Sequence, residues 1–425
     1  MRKVIIISYF FPPCNLAGAN RAGYWAENLN KFDIHPIIIT RKWETFIRSF
    51  DDVSKPTSHE ELVVKDENKT VYYLPHIPSL RDRFLNQNKN RFFLIRKFLS
   101  LLEVLINNLH IKASLNYDFY LMTDKILSLD KSINTVIISA MPFNNFFIGY
   151  QLKKKFPEIQ WVADYRDEWN SRRVNENLKD KILNFYDSFF EKKWVSTARC
   201  ITYVDNQNLE KVIKSSGNNC GIVIKNGFTN EFIIERNIKK ETIVFTFAGT
   251  LYSHQNIEDF AKAIKLYSNK NPNLFFEINF LGSAINNNEI AKKIKLTFSK
   301  TDVKLNLTRR LPKEELIQYY KKTNFLLMFP FIDKNGVLPT KVLNYLPLKI
   351  PILFFPSDSG AIHSLIKSIG FGYAPKNFKE FNNVLEKEKL NPSLTDENKY
   401  NKKISPFSAE FHLSKLSNLI KEIGG

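Results

Sequence analysis

Lys341 stands where a Gly/Pro-containing loop gives way to a short helical run, and a cation at such a place marks an anion site. The stretch from Phe325 to Phe355 reads as a strand (FLLMF), a loop (DKNGVLPTK), a helix (VLNYL) and a second strand (IPILFF). Gly336 and Val337 in the loop, the unpaired N–H groups of the first helical turn and Lys341 would share one crevice suited to a phosphate or diphosphate. On residue chemistry alone an ordinary loop and helix with Lys341 solvated stays open beside it. A second group, Asp164, Arg166 and Asp167, closes the segment QWVADYRDEWN at the carboxyl edge of a strand, where open α/β sheets bind their ligands. These three could hold hydroxyls or phosphate, or simply form an ion pair that ties a loop to its domain.

The elements that must carry these groups alternate between strand and helix. Lys3–Ser8 (KVIIIS) is a β-branched run without alternation, as in a parallel strand covered on both faces. A loop, FPPCNLAGANR, a helical stretch, RAGYWAENLNKF, and a second strand, His35–Thr40, complete a Rossmann-like opening. Further strands are expected at Thr70–Leu74 (an edge strand), Thr135–Ser139, Gln160 onward, Cys200–Val204 and Gly221–Gly227. The charged run Glu235–Glu241 reads as a linker, and a new strand, Ile243–Ala248, restarts the pattern ahead of Gly249 and Thr250. Helices at Ile257–Ser268 and Asn288–Phe298 and strands at Phe275–Gly282 and Lys304–Leu307 follow. The last helix is expected to open with Ser405 as its N-cap and Pro406 behind it. The fold class is therefore α/β, with domains at 1–236 and 237–404 and a final helix at 405–425 that crosses back to the first domain.

Several of these segments resemble the GT-B glycosyltransferases, in particular the large retaining group called family 4. GVLPTKVLNYL followed by PIL is similar to the donor-binding segment of that group, matching at Gly336, Pro339, Lys341, Tyr345, Leu346, Pro351 and Ile352. Asn344 stands where the family has a glutamate that grips the donor ribose, and an amide has neither the charge nor the two accepting oxygens of a carboxylate. Trp161, Ala163, Asp164, Arg166, Asp167 and Trp169 match another family segment, and Phe11, Pro12, Pro13, Gly18 and Arg21 match the family's opening loop. Asn226, Gly227 and Phe228, then Pro312, Glu315 and Leu316, add weaker matches. The resemblance implies two Rossmann-like domains facing across a cleft and a nucleotide-diphosphate sugar as donor substrate rather than a bound cofactor. It implies a metal-independent, retaining transfer to a hydroxyl, with Asp164, Arg166 and Asp167 in the cleft. Gly18, Arg21, Gly249, Thr250, Gly336, Val337, Lys341 and Asn344 are then the donor-side candidates. Relatives place an Arg and a Lys just after the Gly249 turn; here His254 and Gln255 stand nearby instead. Within the group the acceptor is a lipid-linked or polysaccharide precursor of a bacterial surface glycan such as lipopolysaccharide. A sugar-nucleotide 2-epimerase of the same architecture, or a degenerate nucleotide-sugar-binding subunit, are the alternatives.

Composition bounds these readings. The 425 residues allow two domains with cores of their own, and 44% hydrophobic with 25% charged residues is a globular balance. A net charge of +19 draws anionic partners: nucleic acid, a membrane surface or phosphorylated substrates. No aromatic-basic module for nucleic acid is present, so no nucleic-acid partner is expected. Arg91–His110 is amphipathic and basic, and it can lie on anionic lipid or pack on the sheet, the latter being preferred here. Three widely spaced cysteines, Cys14, Cys200 and Cys220, predict neither a disulfide framework nor a zinc site, which suits a reducing cytoplasm; Arg91–His110 leaves open a peripheral place on the inner membrane face. The apolar run at the start is too short for a span and ends in Pro-Pro, so it reads as a strand and not a signal peptide.

Overall fold

A computed structural model describes every residue except 15, 44–52, 58–59, 88–91, 170–177, 230–233, 240, 284–287, 310, 333–338 and 391–395. The chain forms two compact units, Met1–Asn226 with His412–Gly425, and Gly227–Phe411. The divisions expected from sequence lay at 236/237 and 404/405.

The first unit is built on β1 (Arg2–Ser8), β2 (Ile34–Arg41), β3 (Leu62–Lys65), β4 (Thr70–Leu74), β5 (Thr135–Ser139), β6 (Gln160–Tyr165), β7 (Cys200–Tyr203) and β8 (Gly221–Val223). They form one sheet in the order β3-β4-β2-β1-β5-β6-β7-β8, parallel except for β3. Residues alternate between two cores. Ile5, Ile7, Val136, Ile138, Trp161 and Tyr165 face one side, while Val4, Ile6, Ile137 and Val162 face the other. Burial on both faces is why these strands read as unbroken apolar runs. Thr70–Leu74 is not the edge strand expected from sequence: the exposed β3, LVVK, lies outside it.

The second face of this sheet is covered in part by the terminal helix Ala409–Ile423, through Leu413, Leu416, Leu419 and Ile420. Arg2 adds hydrogen bonds to the Ile420 and Lys421 carbonyls at 3.0 and 2.5 Å. That helix starts later than expected. Ser405–Phe407 is a separate 3-10 turn, and Ser408 caps the helix by accepting the Phe411 N–H at 3.1 Å. The expectation of three free cysteines is also corrected. Cys200 and Cys220, at the starts of neighbouring strands, are joined by a disulfide, and Cys14 is free and buried.

The second unit holds β9 (Thr242–Ala248), β10 (Phe275–Leu281), β11 (Lys304–Thr308), β12 (Phe325–Met328) and β13 (Ile352–Phe354), all parallel, in the order β11-β10-β9-β12-β13. Phe245, Phe247, Phe280 and Phe325 fill one face, and Leu326, Met328, Ile352 and Phe354 the other. With β9 central, the turn behind it, Gly249–Thr250, sits at the carboxyl edge beside the strand where the order reverses. Open α/β sheets bind ligands at that switch point.

Candidate functional site

Each unit brings some of the sequence candidates together. In the first, the carboxyl ends of four strands lie in register: Ser8 beside Ser139, Ser139 beside Asp164, and Asp164 beside Thr202. Arg21, early in the helix Ala17–Asn28, reaches this row and donates from Nε to Asp164 Oδ2 at 3.1 Å and from Nη2 to Oδ1 at 2.7 Å. Ser139 Oγ donates to Oδ2 at 2.8 Å and Thr202 Oγ1 to Oδ1 at 2.6 Å. A carboxylate offers about four lone-pair sites, and four donors fill them. Arg21 in turn donates to Asn226 Oδ1 at 3.1 Å and lies over the Trp25 ring at 4.5 Å. Both charged groups are sealed from water. Burial alone would push the Asp164 carboxyl up, but the Arg21 charge and the hydrogen bonds reverse this and hold it below its ordinary value. Asp164 thus anchors Arg21 and fastens strand ends together, with no acceptor capacity left for a substrate.

Arg166 and Gly18 form a second contact at the same edge. Arg166 donates from Nε to the Ala140 carbonyl at 2.6 Å, and the end of its guanidinium lies beside Gly18. A Cβ at Gly18 would come within 2.5 Å of Arg166 Nη1, so the missing side chain at 18 makes room for this arginine. Burial lowers the Arg166 pKa, opposed by the charges of Asp164 and Asp167. Asp167 itself is exposed. Beyond it, a cavity of about 160 Å³ is bordered by Trp169, Glu191 and Tyr203, among others. Burial pushes the Glu191 carboxyl up to about 7, opposed by a 2.9 Å hydrogen bond from the Tyr165 hydroxyl.

In the second unit the chain leaves β9 through Gly249 at φ +108°, a conformation open to glycine and strained for other residues. Its N–H donates to the Leu281 carbonyl at 2.6 Å, and its carbonyl accepts from Ser283 Oγ at 2.8 Å. Lys341 lies across this turn. Its Nζ donates to the Thr250 carbonyl at 2.9 Å and sits 3.6 Å from the centroid of the Phe247 ring. A Cβ at Gly249 would stand 3.0 Å from Lys341 Cε. The helix bearing Lys341 is clamped to β9 by Tyr345, whose buried hydroxyl accepts the Ala248 N–H at 2.8 Å. Among the described ion pairs no carboxylate meets Lys341, and burial brings its ammonium down to about 7. The ammonium is thus held by one carbonyl and one ring, surroundings that disfavour its charge and that an opposite charge would offset.

The helix itself contributes less than the sequence implied. Thr340–Tyr345 spans six residues before a 3-10 turn, so few peptide dipoles align and the lysine carries the charge. Asn344 is exposed on this helix, and Gly336 and Val337 lie outside the described residues. A cation that sequence inspection missed does reach the loop behind Gly249, but its partners are the protein's own. Lys293, from the helix Asn288–Phe298, donates to the carbonyls of Ser253 at 2.9 Å and Gln255 at 3.2 Å, and pairs with Glu258 at 3.1 Å. No local signal announces it, because only the packing of that helix brings it to the loop. Among the described residues no group of three or more His, Cys, Asp or Glu is placed to hold a metal ion.

No family model matches the sequence, and no curated protein does so either. Solved structures do match over the whole length. A sucrose-phosphate synthase from Thermosynechococcus elongatus aligns with TM-score 0.60 at 13% identity, covering 100% of this chain and 99% of the other. The catalytic domain of starch synthase IV from Arabidopsis thaliana, bound to ADP and acarbose, aligns with TM-score 0.56 at 12% identity, covering 100% and 98%. A protein described as a UDP-N-acetylglucosamine 2-epimerase from Listeria monocytogenes aligns with TM-score 0.50 at 10% identity, covering 99% and 95%. With two Rossmann-like units and this set of structural neighbours, the chain has the fold of the GT-B glycosyltransferases.

Proposed function

We propose that the protein is a glycosyltransferase that moves a sugar from a nucleotide-diphosphate donor to a hydroxyl acceptor, with Lys341 on the donor diphosphate. The observation that carries this reading is the Lys341 ammonium: half-buried, without a carboxylate among the described ion pairs, and set over the Gly249–Thr250 turn at the carboxyl edge of β9. A diphosphate there would receive a charged hydrogen bond from Nζ, and as the donor bond breaks the same group would stabilise the charge arriving on the leaving phosphate. Gly249 and Thr250 would approach it through their backbone, Asn344 would meet the ribose, and Gly336 and Val337 belong to the same donor loop. Arg21, Arg166, Asp167 and Gly18 are assigned to the acceptor-side unit, with Asp164 as the residue that positions Arg21. Transfer with retention and without a metal, to a lipid-linked or polysaccharide precursor, is the finer form of the proposal. Peripheral contact of a cytoplasmic enzyme with anionic membrane through Arg91–His110 belongs to it, since a lipid-linked acceptor is held at that surface. The likeness to an epimerase keeps one rival. Incubation with a panel of nucleotide sugars and membrane extract separates the two. The transferase releases nucleoside diphosphate only when an acceptor is present, whereas release of free epimerised sugar without acceptor would replace this reading.

A further inference from the structure

The strand β3 ends its sheet with its outer edge open. Every residue in it is exposed, and Leu62, Val63 and Val64 show 44%, 51% and 41% of their surface to solvent. A free edge carries a row of unpaired N–H and C=O groups, and an apolar one is a template for a further strand. Natural edges are blunted by charge; here the charges, Glu61 and Lys65, stand at the two ends and leave the middle apolar.

The hairpin fixes which backbone groups point outward. β3 runs antiparallel to β4, with Leu62 opposite Tyr73, Val63 opposite Tyr72, Val64 opposite Val71 and Lys65 opposite Thr70. At the closed end the Asp66 N–H donates to the Lys69 carbonyl at 3.0 Å, which makes 66 and 69 a bonded pair of the ladder. Bonded and unbonded pairs alternate along an antiparallel ladder. Val64 and Leu62 therefore bond to β4, whereas Lys65 and Val63 turn their N–H and C=O groups outward, and Glu61 continues that row. Side chains alternate as well, so Glu61, Val63 and Lys65 share one face of the sheet and Leu62 and Val64 the other.

We infer that β3 is a pairing edge for β3 of a second copy of this chain, antiparallel about a twofold axis at Val63, so that two eight-stranded sheets join into one. The sequence selects both occupant and register, because the segment from Glu61 to Lys65 (ELVVK) is complementary to its own reverse. Outward residue meets outward residue: Val63 exchanges backbone bonds with its counterpart, and each Glu61 does so with the Lys65 of the other copy. On one face the two Val63 side chains meet between two Glu–Lys pairs, and on the other each Leu62 meets a Val64. Opposite charges and apolar residues set directly across strands stabilise a ladder, and like charges weaken it. Sliding the strands by two residues in either direction keeps outward groups together but sets Val63 against Lys65 or Glu61 and loses both ion pairs. One position beyond the strand Glu60 faces Asp66, whose carboxylate is already held by the N–H groups of Asn68 and Lys69 at 2.8 and 2.9 Å. The contact is isologous and closes at two copies, which uses up the edge and stops further growth. It owes nothing to the transfer chemistry, so self-association and sugar transfer can fail separately.

The test is sedimentation velocity of the full chain over a dilution series, with the melting temperature as control. The parent should dimerise reversibly at high concentration. Val63→Pro removes an outward donor and leaves the bonds to β4, so it should weaken the dimer at least about tenfold while the melting temperature stays put. Glu61→Lys sets lysine against lysine twice and should weaken it about fivefold. Glu61→Lys combined with Lys65→Glu restores the two ion pairs in this register, and should return the dimer to within about twofold of the parent. A parent that stays monomeric at its highest soluble concentration overturns the inference. A dimer that Val63→Pro leaves intact, or a double variant no tighter than Glu61→Lys alone, overturns it equally.

Discussion

Two cations, Arg21 buried in the first unit and Lys341 half-buried in the second, are treated in opposite ways. Arg21 is matched by Asp164, Asn226 and the Trp25 ring, and Asp164 is matched by every donor it can take. Lys341 has a carbonyl, a ring and no carboxylate among the described ion pairs, and its ammonium is brought down to about 7 by burial. A closed network holds a fold in one arrangement. An open one costs stability and holds binding energy for an incoming charge. The contrast teaches which polar clusters to read as architecture and which as chemistry: the test is whether the cluster still has something to satisfy.

That contrast can be broken at several points. The largest effect is expected at Asp164→Ala, which strands the buried Arg21 charge. Denaturant unfolding should show a loss of about 3–5 kcal/mol in the first unit, and a loss below 1 kcal/mol would mean that the network is not closed. The opposite sign is expected at Lys341→Met. With a folded-state pKa near 7 against an ordinary 10.5, the unfolded chain binds more protons between those values, so the parent gains stability as pH rises through that window and loses it as pH falls toward 7. The methionine variant should melt higher than the parent at pH 7, and its advantage should shrink as the pH approaches 10. The same titration governs the ligand. Nucleoside diphosphate affinity, measured by calorimetry, should fall by up to about tenfold per pH unit above 7 as the ammonium is lost, and Lys341→Arg should flatten that slope. The smallest effect belongs to Gly18→Ala. Its Cβ displaces the flexible end of Arg166, so about 1 kcal/mol or less of stability is at stake, within the range of ordinary substitutions.

The strands were legible because burial on two faces leaves runs such as VIII, TVIIS and FLLM with few rivals. Thr135–Ser139 and the helix Asn288–Phe298 fall where their patterns placed them. What sequence left hidden needs three dimensions. Ser139 and Thr202 end different strands, and only the register between β5, β6 and β7 sets both beside Asp164. Arg21 and Asp164 were both singled out, yet nothing local pairs them with each other. The helix Phe93–Asn107 does not pack its apolar side on the sheet as expected, since Leu94 and Phe98 stand exposed while Arg96, Ser100, Glu103 and Asn107 take the less exposed side; amphipathic periodicity reveals that a helix has two sides but not which one turns to the protein. Cys200 and Cys220 hid likewise, since their spacing matches no motif and adjacency arises from neighbouring parallel strands. In the second unit, Lys341 was visible as a charge, but its seat on Phe247 and its bond to the Thr250 carbonyl were not.

Donor recognition as proposed requires Lys341 to receive a diphosphate. Calorimetric titration of UDP, GDP and ADP into the parent and into Lys341→Ala at pH 6.5 tests that directly. At least one nucleotide should bind the parent, and the alanine variant should bind it more weakly by about 1.5–3 kcal/mol with an unchanged fold. Equal affinity in the two proteins would remove Lys341 from the donor site.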